Sequence, residues 1–328
     1  MKKPKYDWKN TSTETLLKTK ICDFSLSIKD SKIQLCIDQL YQELSQRGLR
    51  FRPHIWISTE WFSPHGVPGF AVPFYLFHPK LMELEQIFIG EVEGGTKEWF
   101  MKLLRHETGH AIDNGFLLRK SKKRQQLFGL SGLAYPVDYN PKPFSKNFVR
   151  HLGGHYAQAH PDEDWAETFA LWLNPKSNWR EKYRGWGALD KLIFVEELMN
   201  KCANLKQKQA NKETPDEISG CEQTLQEYFD QKRQRYKIAK KAWMPSVYRI
   251  KCSDSYLIAN KKKLCQKLAP ITNQCQYIIN KAYKEVILAK REESVLHVKD
   301  KAPQEEILYA LASYVQEFVR QKRHRIAM

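Results

Sequence analysis

The sequence predicts an α+β protein: a small mixed sheet with a flanking helix, then helices to the end, the last of them forming a basic tail. Three observations carry this. Short apolar runs bounded by Pro and Gly crowd the first hundred residues. Apolar positions three and four apart dominate the chain after Thr96. From Lys201 onward there are 26 Lys and Arg against 14 Asp and Glu, so that stretch carries +12 of the net charge of +17.

Taken in order, "ICDFSLSI" alternates apolar and polar residues and predicts a strand. "KIQLCIDQLYQELSQRG" spaces Ile33, Ile37, Leu40 and Leu44 as a helix face, with Gly48 as its stop. "RPHIWIST" is strand-like, and "GVPGFAVPFYLFHP" is extended but held to a sheet edge by Pro68 and Pro73. "LMELEQIFIGEVEGG" predicts a strand and turn ending at Gly94-Gly95. A helix follows Thr96, with Trp99, Phe100, Leu103, Leu104 and Ile112 on its apolar stripe. The Gly- and Pro-rich stretch 119–151 predicts a long irregular connection. "PDEDWAETFALWLNP" predicts a helix opened by Pro161 and its acids and closed at Asn174-Pro175. "ALDKLIFVEELMNKCANL" predicts another. The polar stretch "KQKQANKETPDEISG" reads as a linker, which divides the chain into a domain over 1–200 and a basic helical region over 201–328. Within the latter, "LQEYFDQKRQRYKIAKKAW", "ITNQCQYIINKAYKEVILAKREE" and "QEEILYALASYVQEFVRQKR" have helical period.

Composition narrows the class. With 42% apolar and 12% aromatic residues, the chain can bury a core and is not of the disordered type. No segment approaches the ~20 apolar residues of a membrane-spanning helix, and no apolar run follows the basic first residues. The seven cysteines are scattered without close pairs, which predicts reduced thiols and a cytoplasmic setting. The basic tail suits an anionic partner such as nucleic acid, and equally a set of solvated Lys-rich helix faces.

The chemistry concentrates in "LLRHETGHAIDNGF". His106 and His110, four apart on a helix, can present two imidazoles to one cation, with zinc the usual occupant. Glu107, one position round, is placed to take a proton from a water at that cation. Gly109 leaves room for another segment to approach the helix, and Asp113, one turn beyond His110, could accept a hydrogen bond that orients a ligand. A catalytic zinc wants a third protein ligand. A histidine six residues past His110 is excluded, because that position is Phe116. Glu163 and Glu167, also four apart, face one way on the later helix: one can ligate while the other supports a ligating histidine, and spacing leaves open which. Asp164 points elsewhere and reads as a cap or surface acid, and His151, His155 and His160 as structural or loop residues.

"LLRHETGHAID" followed by "YAQAHPDEDWAETFALWL", with "HGVPGFAVPFYLFHPKL" and "EVEGGTKEW" upstream, resembles the bacterial zinc-binding metallopeptidases of the glutamate-type zincin class, over about residues 21–199. A more distant likeness is to the lethal-factor-like metallopeptidases, whose later helix binds zinc through its first glutamate and whose tyrosine seven residues earlier faces the substrate. The resemblance implies a zincin-like fold, Glu163 as third zinc ligand with Glu167 in support, and Tyr156 as donor to a developing oxyanion. It further implies a peptide or protein substrate, cleaved by metal-activated water with Glu107 as base. By the same analogy, "GFAVPFYLF" could pair with an extended substrate as an edge strand. The alternative is a nucleic-acid-associated protein binding through its tail, with a structural or idle zinc site.

Overall fold

The computed structural model describes residues 6–8, 11–29, 31–136, 139, 141–142, 144–203, 205–235, 254–272 and 276–293, together with 307, 308, 311 and 315. It divides into two compact units, one of residues 1–136 and 144–232 and the other of 137–143 and 233–328.

The first unit is mostly helical around a small sheet. α1 (Thr13–Lys18) is capped by the Ser12 side chain, which accepts from Thr15 N. The expected strand at "ICDFSLSI" is instead a 3-10 turn over Ile21–Phe24, because a spacing of three puts both end residues in the core and Ser25 leaves the turn left-handed at φ 50°. α2 (Lys32–Gln46) buries Ile33, Ile37, Leu40 and Leu44, as its period predicts. It ends in a Schellman motif: Leu49 N donates to Leu44 O and Gly48 N to Ser45 O, both at 2.9 Å. Gly48 supplies the left-handed residue at φ 73°.

β1 (His54–Ser58) and β2 (Gly69–Pro73) then pair in parallel, from His54 opposite Gly69 to Ser58 opposite Pro73. The connection between them doubles back, and Ala71 N donates to Phe62 O at 2.8 Å. Alongside β1, Trp56 Nε1 donates to Pro215 O at 2.9 Å and Ser58 Oγ to Asp216 O at 2.7 Å. Among the described residues this two-stranded parallel sheet is the whole of the β structure, apart from isolated bridges.

The segment expected as strand and turn after Pro79 is α3 (Pro79–Ile89). Pro79 is its first residue and the His78 ring caps it, accepting from Lys80 N. Leu81, Leu84 and Ile89 are buried at helical spacing, and this outweighs the strand preference of the "IFI" triplet. α4 (Lys97–Phe116) starts where the Thr96 side chain accepts from Trp99 N. The irregular connection after it contains one short helix, α5 (Lys122–Phe128). α6 (Pro161–Leu173), α7 (Trp179–Lys182) and α8 (Ala188–Cys202) complete the helical half. α4 and α6 pack against each other through the core, with Leu104, Ile112, Trp165 and Phe169 almost fully buried.

α9 (Leu225–Arg235) folds back onto the same unit. A bridge between Lys20 and Thr224 leads into it, and Phe229 stacks on Phe88 with centroids 4.6 Å apart. Lys232 is buried there, 3.0 Å from Glu60 Oε1, 2.9 Å from Glu85 Oε1 and 2.7 Å from the Tyr228 hydroxyl.

In the second unit, α10 (Asp254–Thr272) and α11 (Gln276–Glu293) pack through Leu257, Leu264 and Leu268 against Ile279, Tyr283 and Val286. The period of the sequence did not predict α10. The aromatic and basic stretch 236–251 and most of the last expected helix lie outside the described residues, as do Cys252 and Cys275. The other five cysteines are thiols. Among the described residues no helix is long and apolar enough to cross a membrane.

Candidate metal centre

The site is made where α4 crosses α6. A Cβ on Gly109 would lie 2.9 Å from Ala166 Cα, closer than real Cβ contacts come, so glycine is what lets the two backbones meet here. The Trp165 indole N–H donates to Gly109 O at 2.8 Å and locks the crossing. Close to this point, the helix faces bring three donor atoms together.

His106 Nε2 lies 3.0 Å from Glu163 Oε2, His110 Nε2 lies 3.3 Å from the same oxygen, and the two Nε2 atoms are 3.2 Å apart. Three corners of a tetrahedron with bonds of about 2.0–2.1 Å would stand about 3.3 Å from one another. The triangle therefore has the size of a zinc site's protein face, and these three residues could hold a metal ion. The donor set also suits zinc, being two imidazoles and a carboxylate.

Glu167 sits beneath the triangle. Its Oε1 accepts from His106 Nδ1 at 3.0 Å and its Oε2 from Leu152 N at 2.8 Å. A proton on Nδ1 leaves the lone pair on Nε2, the atom that faces the triangle. Burial opposes a charge on His106, but the carboxylates of Glu163 and Glu167 on its two nitrogens prevail and raise its pKa well above the ordinary value. Burial also opposes charge on Glu163, while His110 and His106 hold its pKa well down.

Glu107 is buried beside the triangle, and burial raises its carboxyl pKa despite the nearby histidines. No hydrogen bond claims this carboxylate among the described residues. Tyr156 belongs to a tight turn over Gly153–Gln158 in which Gly154 and His155 are both left-handed, at φ 71° and 58°. That turn sets the Tyr156 ring 5.6 Å from the His106 ring, centroid to centroid. Burial and then the charge of Glu163 keep its hydroxyl protonated, raising its pKa well above the ordinary value.

Other polar residues are drawn elsewhere. Asp113 is turned to Arg124, whose Nη2 donates to its Oδ2 at 2.7 Å, rather than to a histidine ring. Arg124 is fully buried and also donates to Asp162 Oδ1 at 2.8 Å. Asp164, which the sequence placed at a cap or on the surface, is buried and 2.5 Å from Lys191 Nζ of α8. Burial pushes its carboxyl up to about 7 against the pull of that lysine. None of the three flanking histidines is among the metal-holding group. His151 donates to Lys102 O at 3.0 Å, His160 caps α6 by accepting from Asp162 N at 3.1 Å, and His155 lies in the tight turn.

Tyr135 is a residue that sequence patterns did not single out. Its hydroxyl donates to Glu163 Oε1 at 2.8 Å, and its ring stacks on His160 at 3.8 Å. It comes from the irregular connection, which has no period to fix a facing direction.

Residues 99–183 match a family described as "Putative zinc-binding metallo-peptidase". This stretch holds every residue of the triangle, with Glu107, Tyr135, Tyr156 and Glu167. No curated protein and no solved structure matches the chain.

Proposed function

We propose that the chain is a zinc-dependent peptidase that hydrolyses peptide bonds with water, using Glu107 as general base. The observation that carries the reading is the triangle of His106 Nε2, His110 Nε2 and Glu163 Oε2, at 3.0–3.3 Å, inside the segment that matches a family of zinc-binding metallopeptidases. In this reading the two histidines and Glu163 hold the ion and Glu167 fixes the tautomer of His106. Zinc, when bound, supplies a positive charge that acidifies water and polarises a carbonyl.

The chain's own groups do the rest. Glu107 follows a ligating histidine directly, so its carboxylate reaches a water on the open side of the triangle. It accepts a proton as that water adds to the peptide carbonyl, then passes it to the departing amine nitrogen. Burial raises its pKa, which makes it a stronger base than an exposed glutamate. Tyr156 remains a neutral donor and can hydrogen-bond the oxyanion that the carbonyl becomes.

The test is zinc content and cleavage of a diverse peptide mixture by the purified chain and two variants. Glu107→Gln should retain stoichiometric zinc and lose turnover by at least about a hundredfold, the low end for general-base catalysis. Glu163→Ala should lose most of its zinc. Full activity in the first variant would overturn the mechanism, and unchanged zinc in the second would remove Glu163 from the ligand set.

A further inference from the structure

We propose that Tyr135 is a positioning residue that holds Glu163 to a single oxygen, so that the carboxylate presents Oε2 alone to the ion. The proposal rests on the reading of Glu163 as a metal ligand. A carboxylate can give a cation one oxygen or two, and a second oxygen would take up room otherwise open to water and substrate. The two oxygens here are used differently. Oε2 lies 3.0 and 3.3 Å from the two Nε2 atoms, whereas Oε1 accepts the Tyr135 hydroxyl at 2.8 Å. Such a bond orients the carboxylate and competes for the oxygen that would swing toward the cation.

The tyrosine is itself held in place, although its side of the site is open and the residue is 41% exposed. Its ring lies nearly parallel to that of His160, at 15° and 3.8 Å. His160 Nε2 donates to Leu133 O at 2.9 Å while its Nδ1 caps α6. Ser131 Oγ donates to Asp162 Oδ1 at 2.5 Å and accepts from Arg124 Nη1 at 2.8 Å. Residues 131–135 thus form a strap pinned at three points to the first turn of α6, the turn that carries Glu163. Pinning the strap to the same turn ties the position of the hydroxyl to that of the carboxylate.

Tyr135→Phe removes the hydroxyl and keeps the ring that stacks on His160. Zinc affinity, measured by competition with a chelator, should fall 10- to 100-fold, the range for loss of a group that supports a metal ligand. With cobalt in place of zinc, the visible absorption of Tyr135→Phe should weaken, as coordination rises from four to five when Glu163 engages both oxygens. The melting temperature of the zinc-free variant should match that of the unsubstituted chain, which separates lost support from lost folding. Unchanged affinity and an unchanged cobalt spectrum, in a background where Glu163→Ala does lose zinc, would overturn the role of Tyr135 alone. If the unsubstituted chain binds no zinc, or Glu163→Ala binds it equally well, the ligand assignment fails and this proposal fails with it.

Discussion

His151 shows how a single buried ring can set the acid limit of the fold. It is buried, donates to Lys102 O from Nε2, and has its pKa pushed down to about 4 by burial, with Glu167 pulling weakly the other way. Unfolded, the same ring would titrate near ~6.5. Between these values the unfolded chain binds the extra proton, so stability falls as pH drops from about 6.5 to about 4 and is fully present above. At about 1.4 kcal/mol per unit this is about 3 kcal/mol. In urea unfolding followed against pH, His151→Gln should lose that much less stability than the unsubstituted chain over this window. Parallel pH profiles would mean that the ring is not what titrates.

At the scale of elements, the crossing of α4 and α6 decides whether a site exists. Gly109→Ala should gain up to about 1 kcal/mol of helix propensity. Against this, its Cβ would sit 2.9 Å from Ala166 Cα, and backbone cannot yield as a side-chain tip can. Overpacking of this kind costs about 1–3 kcal/mol, so the net effect should be destabilising. Parting the helices should also widen the donor triangle, and zinc affinity should drop with the urea midpoint. A variant as stable and as tight for zinc as the parent would show that the close approach is not required.

The crossing was partly legible in the sequence. Spacing of four put His106 and His110 on one face, and Gly109 marked where another backbone could come close. The same spacing could not separate Glu163 from Glu167, since residues four apart share a direction; their roles depend on how far α6 has slid along α4. The position of Tyr135 depends on the pinning of the strap to α6, a contact between segments about thirty residues apart that leaves no local period. "LMELEQIFIG" misled because its Ile-Phe-Ile triplet looks like a strand, while Pro79 and the leucines at 81 and 84 already had the pattern of a helix. "ICDFSLSI" misled because so short an alternation, Asp23 to Ile28, cannot be told from a turn with apolar ends followed by an irregular segment.

For the whole molecule, the apolar-poor linker near residue 210 suggested a boundary at about residue 200, whereas the first unit extends through Lys232 and takes in most of α9. Leu225 and Phe229 are fully buried, and Lys232 is the cation between Glu60 and Glu85. Each large apolar side chain exposed by removing α9 would cost about 1.5–3 kcal/mol. Glu85, almost wholly buried, would also lose its charged partner. A chain ending at residue 200 should therefore unfold at markedly lower urea than one ending at residue 235. Equal midpoints would show that α9 is dispensable to the unit.

The two strands carry a last consequence for how a guest chain could be gripped. The β2 flank of the ladder is already occupied at Ala71 by the protein's own backbone, Phe62 O receiving Ala71 N, while the carbonyls of Pro215 and Asp216 receive the Trp56 and Ser58 side chains of β1. A visiting peptide cannot lace onto this sheet at Ala71 without first unseating Phe62.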